Sequence, residues 1–309
     1  MTADDHFPAI SPGMARERFL VKDEQWEMRF RPNFNQFIIA TLEFARPVIK
    51  LPVPPGRTSN HALFFLTAGQ MQMTVGQYTY SLSAQDLVIV PALQIFSITD
   101  IHEGAAGFMS FFSNETLLNA ANDVDFAFLK LTGTPFISLS STQTVHVNNV
   151  FERLNAEYIE FGATKTDLIN AYLLALLTEI NRAYIGAVPT QIDASDRLVQ
   201  RFMDMLTKHI RQKRLVADYA DLLSISPNHL NKVIRTRTGK SPSVWIDERI
   251  VLEAKVLLFQ SNLTVAQIAA DLGFDDQSNF GKLFRKHAGT SPANFRKLIG
   301  TNQFLTDLA

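Results

Sequence analysis

Two short runs of side chains in the last third of the chain carry its strongest chemical signal. The first is Asn228, His229, Asn231, Lys232 and Arg235. The second is Gln277, Ser278, Asn279, Lys282 and Arg285. Carboxamides and cations at helical spacing can pair with base edges, and the cations also attract phosphate. The runs sit in a repeat: Arg214 to Pro242 and Thr264 to Pro292 align without a gap, with eight identities in 29 positions. The identities are Ala220, Asp221, Leu222, Lys232, Arg235, Gly239, Ser241 and Pro242 with their counterparts 50 residues on. Leu230, Val233 and Ile234 meet Phe280, Leu283 and Phe284 in the same register. Two copies of one small helical unit suit a repeating polyanion, and double-stranded DNA is the first candidate.

Those side chains need helices to present them. The sequence predicts seven, at Asp196–Arg211, Val216–Leu223, Pro227–Arg237, Pro242–Gln260, Val265–Leu272, Gln277–His287 and Pro292–Leu298. Ser226-Pro227, Ser241-Pro242 and Ser291-Pro292 each join an N-cap residue to a proline whose missing N–H costs nothing there. Thr264 is a similar cap. A helix, a tight turn and a second helix make a helix-turn-helix, whose second helix lies in the major groove. In the first copy Leu222, Leu230, Val233 and Ile234 fit the inward face. In the second, Ala269, Leu272, Phe280, Leu283 and Phe284 do so. The five polar residues of each run then face outward, with Gly281 beside those of the second. Gly273 suits a sharp turn that needs positive φ.

Charge divides along the chain in the same sense. Residues 196–299 hold 17 Lys and Arg against 10 Asp and Glu, and residues 1–195 hold 12 against 19. A basic half attracts phosphates that an acidic half repels. At 309 residues and 46% hydrophobic content, the chain can build about two domains with real cores. The absence of cysteine excludes disulfides, thiolate zinc sites and cysteine nucleophiles. No stretch approaches the roughly 20 apolar residues that cross a bilayer. The acidic, proline-broken N-terminus is unlike a secretion signal, so a cytoplasmic protein is expected.

Residues 1–34 read as a weakly ordered segment. Residues 35–113 alternate β-like runs with turns: QFIIATLEF, HALFFL, MQMTV, YTYSL, DLVIV, QIFSI and GFMSFF. Val75-Gly76-Gln77-Tyr78 reads as a tight hairpin, and Met71, Met73 and Val75 alternate with Gln72 and Thr74. Many short strands predict a small sandwich or barrel. Residues 114–188 turn helical, with Asn114 as a cap, one helix from about Thr144 to Phe161 and another from Thr166. The last carries Leu168, Ile169, Tyr172, Leu173, Leu176, Leu177, Ile180 and Tyr184 on one face. That face either docks on its own domain or forms a dimer interface. Residues 189–195 read as a linker, and 196–300 as the DNA-binding domain.

The last hundred residues resemble the AraC/XylS transcription regulators. Ile268 to Arg296 matches that family's signature at Ile268-Ala269, Leu272-Gly273-Phe274, Ser278, Phe280, Phe284-Arg285-Lys286, Gly289, Ser291-Pro292 and Phe295-Arg296. Ser226 to Pro242 is similar to the family's weaker first motif, and the resemblance spans Val199 to Leu298. It implies that the Pro242–Gln260 helix holds two helix-turn-helix units apart, with reading helices in successive major grooves about 34 Å apart. It implies base readers at Asn228, Asn231, Lys232, Gln277, Ser278, Asn279 and Lys282, and phosphate contacts at Arg235 and Arg285. The family often has an arginine or a large side chain where this chain has Lys232 and Asn228, which bears on base identity. Residues 35–112 loosely resemble the cupin-type effector domains that precede such units. The implied fold class is α+β, with a small cupin-like β-barrel and helices followed by an all-α domain. The implied partners are double-stranded DNA, a small-molecule effector, RNA polymerase and a second copy of the chain, with no cofactor and no membrane. Activation is the family's commoner outcome.

A metal cupin would carry a His-x-His pair, a following Glu and a later His. Here His61 stands alone and Gln94 lies near the later position, so no metal is expected. The barrel could still hold a small molecule. His61, Arg46, Tyr78 and Tyr80 are its polar candidates, with ordinary core or rim roles as the alternative for each. His102 and His146 have no visible partner. Two other functions compete: a cupin-type enzyme fused to a DNA-binding tail, and a constitutive regulator whose barrel only dimerises. The enzyme lacks sequence support, since there is no glycine-rich phosphate loop, GxSxG elbow or HExxH.

Overall fold

The β-branched and aromatic runs of the N-terminal half pair into two antiparallel sheets. The computed structural model describes residues 20–21, 23–30, 35–120, 126–130, 134–162, 166–187 and 193–300. The chain divides into two compact units, residues 1–188 and 189–309. In the first lie β1 (Phe37–Thr41), β2 (Val53–Gly56), β3 (His61–Ala68), β4 (Met71–Val75), β5 (Tyr78–Leu82), β6 (Asp86–Val90), β7 (Phe96–Ile101), β8 (Ala106–Phe112) and β9 (Phe136–Ser138). One sheet runs β1-β8-β3-β6-β9 and the other β2-β7-β4-β5. They share one core, where Phe64 of β3 meets Phe96 of β7 at 6.3 Å between ring centroids. Met71, Met73 and Val75 are buried as their alternation requires, and β4 turns into β5 at Gly76, with φ 60°.

The sheets do not close into the expected barrel. Their outer strands stop the pairing. The prolines of β2, Pro54 and Pro55, offer no N–H to a further strand, and β5 leaves Tyr78, Thr79 and Ser81 exposed. Three further local expectations change. The run QFIIATLEF leaves the sheet at Thr41, whose hydroxyl caps a short helix, α2 (Leu42–Ala45). β2 and β9 arise from stretches that carry no strand pattern. Residues 1–34 are not uniformly irregular: Glu24–Phe30 forms α1, which buries Trp26 and Phe30 against Phe44 and Tyr158. Residues 1–19, 22 and 31–34 lie outside the described residues, as do 189–192 of the expected linker.

Three longer elements complete this unit. α3 (Asn114–Ala120) is capped by Ser113 rather than Asn114, through the Thr116 N–H at 3.1 Å. α4 (Ser141–Phe161) starts earlier than periodicity predicts, because Ser140 and Gln143 form a reciprocal capping box. α5 (Thr166–Ala187) buries Ile169, Leu173, Leu176, Leu177 and Ile180 in the core of its own unit. Its apolar stripe is therefore docked at home, with Leu168 outside it and exposed.

The second unit is all helix: α6 (Ala194–His209), α7 (Val216–Leu222), α8 (Pro227–Thr238), α9 (Pro242–Gln260), α10 (Val265–Asp271), α11 (Gln277–Ala288) and α12 (Pro292–Gly300). α7–α8 and α10–α11 are the two repeats, and α9 packs against both pairs. The gapless alignment fails in one place. Helix α7 matches α10 at an offset of 49: Tyr219 and Ala220 take the buried places of Ile268 and Ala269, and Leu223 takes that of Leu272. Leu222 is accordingly only half-buried. From α8 onward the offset is 50, so the second turn holds one extra residue. The left-handed residue of the turn is Ser224 (φ 56°) in the first copy and Gly273 (φ 77°) in the second.

Burial runs around α9 on nearly every side, and it includes an ion pair. Arg249 Nη2 lies 3.1 Å from Glu253 Oε1, with both side chains almost fully enclosed. Removing one partner strands the other charge, so Glu253→Ala should cost about 3–5 kcal/mol in chemical denaturation. Phe280, buried between Phe274 and Phe284, should cost a similar ~3–5 kcal/mol as Phe280→Ala. Wild-type unfolding of either variant would contradict this packing.

Candidate nucleic-acid interface

Each reading helix is fixed by its own ends. Ser226 caps α8 through the His229 N–H at 3.2 Å, and Pro227 opens it. Asp276 caps α11 through the Ser278 N–H at 2.8 Å. That backbone N–H, with a smaller contribution from Lys282, holds the Asp276 carboxyl below its ordinary range. Both helices end at a left-handed glycine, Gly239 and Gly289, before the same Ser-Pro start of the next helix. Leu230 and Ile234 anchor α8, while Phe280 and Phe284 anchor α11. With those faces buried, every expected reader is exposed: Asn228, His229, Asn231, Lys232 and Arg235 on α8, and Gln277, Ser278, Asn279, Lys282 and Arg285 on α11.

Several cations of this unit are engaged by neighbours. Arg237 is held by Asp193 and by Asp196, the latter at 3.6 Å. Lys240 pairs with Glu248 at 2.7 Å and lies over the Trp245 ring. Arg296 donates to the Leu258 carbonyl, and His287 faces Asp247 at 3.6 Å. By contrast, Lys232, Arg235, Lys282 and Arg285 form no salt bridge among the described residues. These four lie on the exposed faces of α8 and α11, where a cation is open to an anionic or hydrogen-bond-accepting partner. Asn231 is partly engaged, since its side-chain nitrogen donates to the Pro227 carbonyl at 3.1 Å.

Residues 219–298 match the family model described as a helix-turn-helix domain. The arabinose operon regulatory protein of Escherichia coli is 29% identical over 115 residues, 37% of this chain and 39% of that protein. Residues 219–298 form an AraC-type helix-turn-helix domain. Similarity to a second relative reaches beyond it. The Msm operon regulatory protein of Streptococcus mutans is 24% identical over 257 residues, 80% of this chain and 88% of that protein. Both relatives are regulatory proteins rather than enzymes. The crystal structure of unsaturated fatty acid-bound ToxT from Vibrio cholerae aligns with 84% of this chain and 94% of its own, at 13% identity and a TM-score of 0.40.

The AraC-type domain brings its expected readers onto two helices, whereas the polar candidates of the N-terminal unit do not converge. His61 is buried, accepts from the Ala92 N–H at Nδ1 (3.0 Å) and faces Asn114 Oδ1 from Nε2 (2.7 Å). Those partners fix the neutral Nε2–H form. Arg46 donates to the Ile101 carbonyl at 2.7 Å. Tyr80 stacks on Phe136, and burial, with help from Tyr78, pushes its phenol up to about 12. Tyr78 is exposed at the sheet edge. Gln94 Oε1 accepts from the Ile95 N–H, and His102 Nδ1 from the Gly104 N–H. Among the described residues no three His, Asp or Glu side chains gather as a metal set, and no helix is long and apolar enough to cross a membrane.

Sequence reasoning missed Asp276 and Arg214. The Asp-Asp pair ahead of α11 is a cap signal available in the sequence. Arg214 acts through a contact with Phe274, far away in the chain, and nothing local announces it.

His61 carries a pH prediction. Burial lowers its pKa, and the Asn114 contact offsets this only in part. Folding thus favours the neutral ring. The stability it contributes is full above the unfolded value of 6.5 and is lost as pH falls toward the folded value. The N-terminal unit should melt at lower temperature as pH drops from about 7 to about 5. His61→Gln should flatten that slope in a calorimetric series, and an unaltered slope would assign it to other groups.

Proposed function

We propose that this chain is a sequence-specific, DNA-binding transcription regulator that reads two half-sites with its paired helix-turn-helix units. The observation that carries the reading is the exposure of Lys232, Arg235, Lys282 and Arg285 on α8 and α11 without a salt bridge among the described residues, flanked by exposed Asn, Gln and Ser. In this reading Asn228, Asn231 and Lys232 face bases in one major groove, and Gln277, Ser278, Asn279 and Lys282 face them in the next. Arg235 and Arg285, one turn further along, meet phosphate. His229 stands on the same exposed face as Asn228.

The N-terminal unit is the regulatory half of this proposal. Its sheets and helices share one core, so a small-molecule effector or a second copy of the chain that favours one arrangement would bias DNA engagement. The outcome at the promoter is activation, with RNA polymerase as the recruited partner and the cytoplasm as the place of action. The long match to the Streptococcus mutans operon regulator supports a whole-chain regulatory role.

Sequencing the genomic fragments retained by the purified full-length chain tests the reading. A few upstream sites carrying two half-motifs about one helical turn apart are expected. Uniform retention without a motif would remove sequence reading from the proposal. Lys282→Ala should then lower preference at one base position by about 1–3 kcal/mol. An equal loss on all sequences, with the salt slope reduced by about one, would make Lys282 a phosphate contact.

A further inference from the structure

Besides packing on the shared helix α9, the two helix-turn-helix units meet where Arg214 reaches Phe274. Arg214, between α6 and α7, places its guanidinium carbon 4.5 Å from the centre of the Phe274 ring. Phe274 belongs to the turn between α10 and α11, and its ring meets Phe280 edge-on at 5.5 Å. Phe280 is a buried anchor of α11. On the other side, Asp218 of α7 accepts from the backbone N–H groups of Arg214 (3.2 Å) and Leu215 (3.0 Å). A continuous path thus runs from α7 through Asp218, Arg214, Phe274 and Phe280 to the second reading helix.

The surroundings single this contact out. A groove of about 580 Å³ opens beside it, lined by Asp218, Asp247, Ile250, Asn279 and Leu283 as well as by Arg214 and Phe274. The units are not packed flush here, and the guanidinium lies at the wall of this open space. The turn is also shaped to receive it. A Cβ on Gly273 would come within 3.3 Å of Arg214 Nε and 3.6 Å of the Arg211 carbonyl oxygen. Gly273 therefore serves both its left-handed φ and the approach of the arginine. A planar guanidinium lies on an aromatic face as an ammonium cannot.

We propose that Arg214 is a positioning residue that sets the relative placement of the two reading helices, and with it the half-site spacing the chain prefers. The spacing clause rests on the DNA-reading function above. The placement clause does not. Because the chain has no cysteine, cysteines introduced at exposed Thr236 and Lys286 accept spin labels on α8 and α11 alone. In the full-length chain, Arg214→Ala should broaden or shift the label-to-label distance distribution, and Arg214→Lys should restore it only in part. A distribution identical to that of the arginine form overturns the proposal whatever the DNA result.

Binding to duplexes with the half-motifs moved by one base pair gives the second readout. Arg214→Ala should reduce discrimination between spacings by about two- to fivefold, the factor a contact of this class is worth. Affinity for a single half-motif should stay unchanged. Altered distances with intact spacing discrimination would overturn the spacing clause. Altered distances in a chain that reads no motif at all would overturn the DNA-reading function and leave the placement clause standing.

Discussion

The C-terminal unit depends on one helix having almost no free face. Along α9, Trp245, Ile246, Ile250, Val251, Ala254, Leu257 and Leu258 are buried, and two of its polar residues, Arg249 and Glu253, are buried as a pair. An amphipathic helix can rock about its apolar stripe, but a helix packed against both neighbouring pairs is held in azimuth as well as in depth. The charges at its middle sharpen this. A buried ion pair is tolerated in few geometries, so rotation of α9 would be penalised at once. Everything outward of α9 inherits that fixity. Leu230 and Ile234 seat α8 and Phe280 and Phe284 seat α11, leaving both reading faces as the complement of a rigid core.

The N-terminal unit follows a different logic. Its two sheets are ended by prolines and polar edges rather than joined into a closed wall. Closure would have hidden every edge at the cost of a fixed interior. Open edges instead leave the core to be completed by helices, and α1, α4 and α5 supply aromatic and aliphatic side chains to it. Phe151 of α4 lies against Phe65 and Phe108 at 5.4 and 5.2 Å, so the sheet and the helix are parts of one packing problem. The buried imidazole of His61 belongs to this arrangement as a bridge between the Ala92 loop and α3.

Much of the C-terminal unit was legible because its signals are local. Ser-Pro starts, glycine ends and a 3.6-residue apolar period fix helices within a few residues of their limits, and exposure of the polar runs follows directly. The slip between α7 and α10 was not legible. Three matching residues, Ala220, Asp221 and Leu222, favour an ungapped alignment, yet burial selects the one-residue shift that puts Tyr219 and Ala220 inside. Chance identity in a short helix outweighed packing in the reading of letters. The β half was legible in its strands but not in its closure, because edge pairing is decided between distant segments. β2 and β9 are short, proline-rich or isolated, and only their partners make them strands. The expected small-molecule site rested on residue types alone, and types do not say whether four side chains meet.

The extra residue in the second turn has a consequence at the level of the gene. It lies in the stretch after Phe274 and before the Asp276 cap, outside the buried anchors, so the core of the unit is the same with or without it. A three-base insertion or deletion in the codons of that stretch would leave both helices folded and change only how α11 is offered. The same event a few codons downstream would turn every later side chain of α11 by about 100° and take Phe280 and Phe284 off the core face where they now pack. The turn ahead of α11 is therefore a permissive address for a change of length.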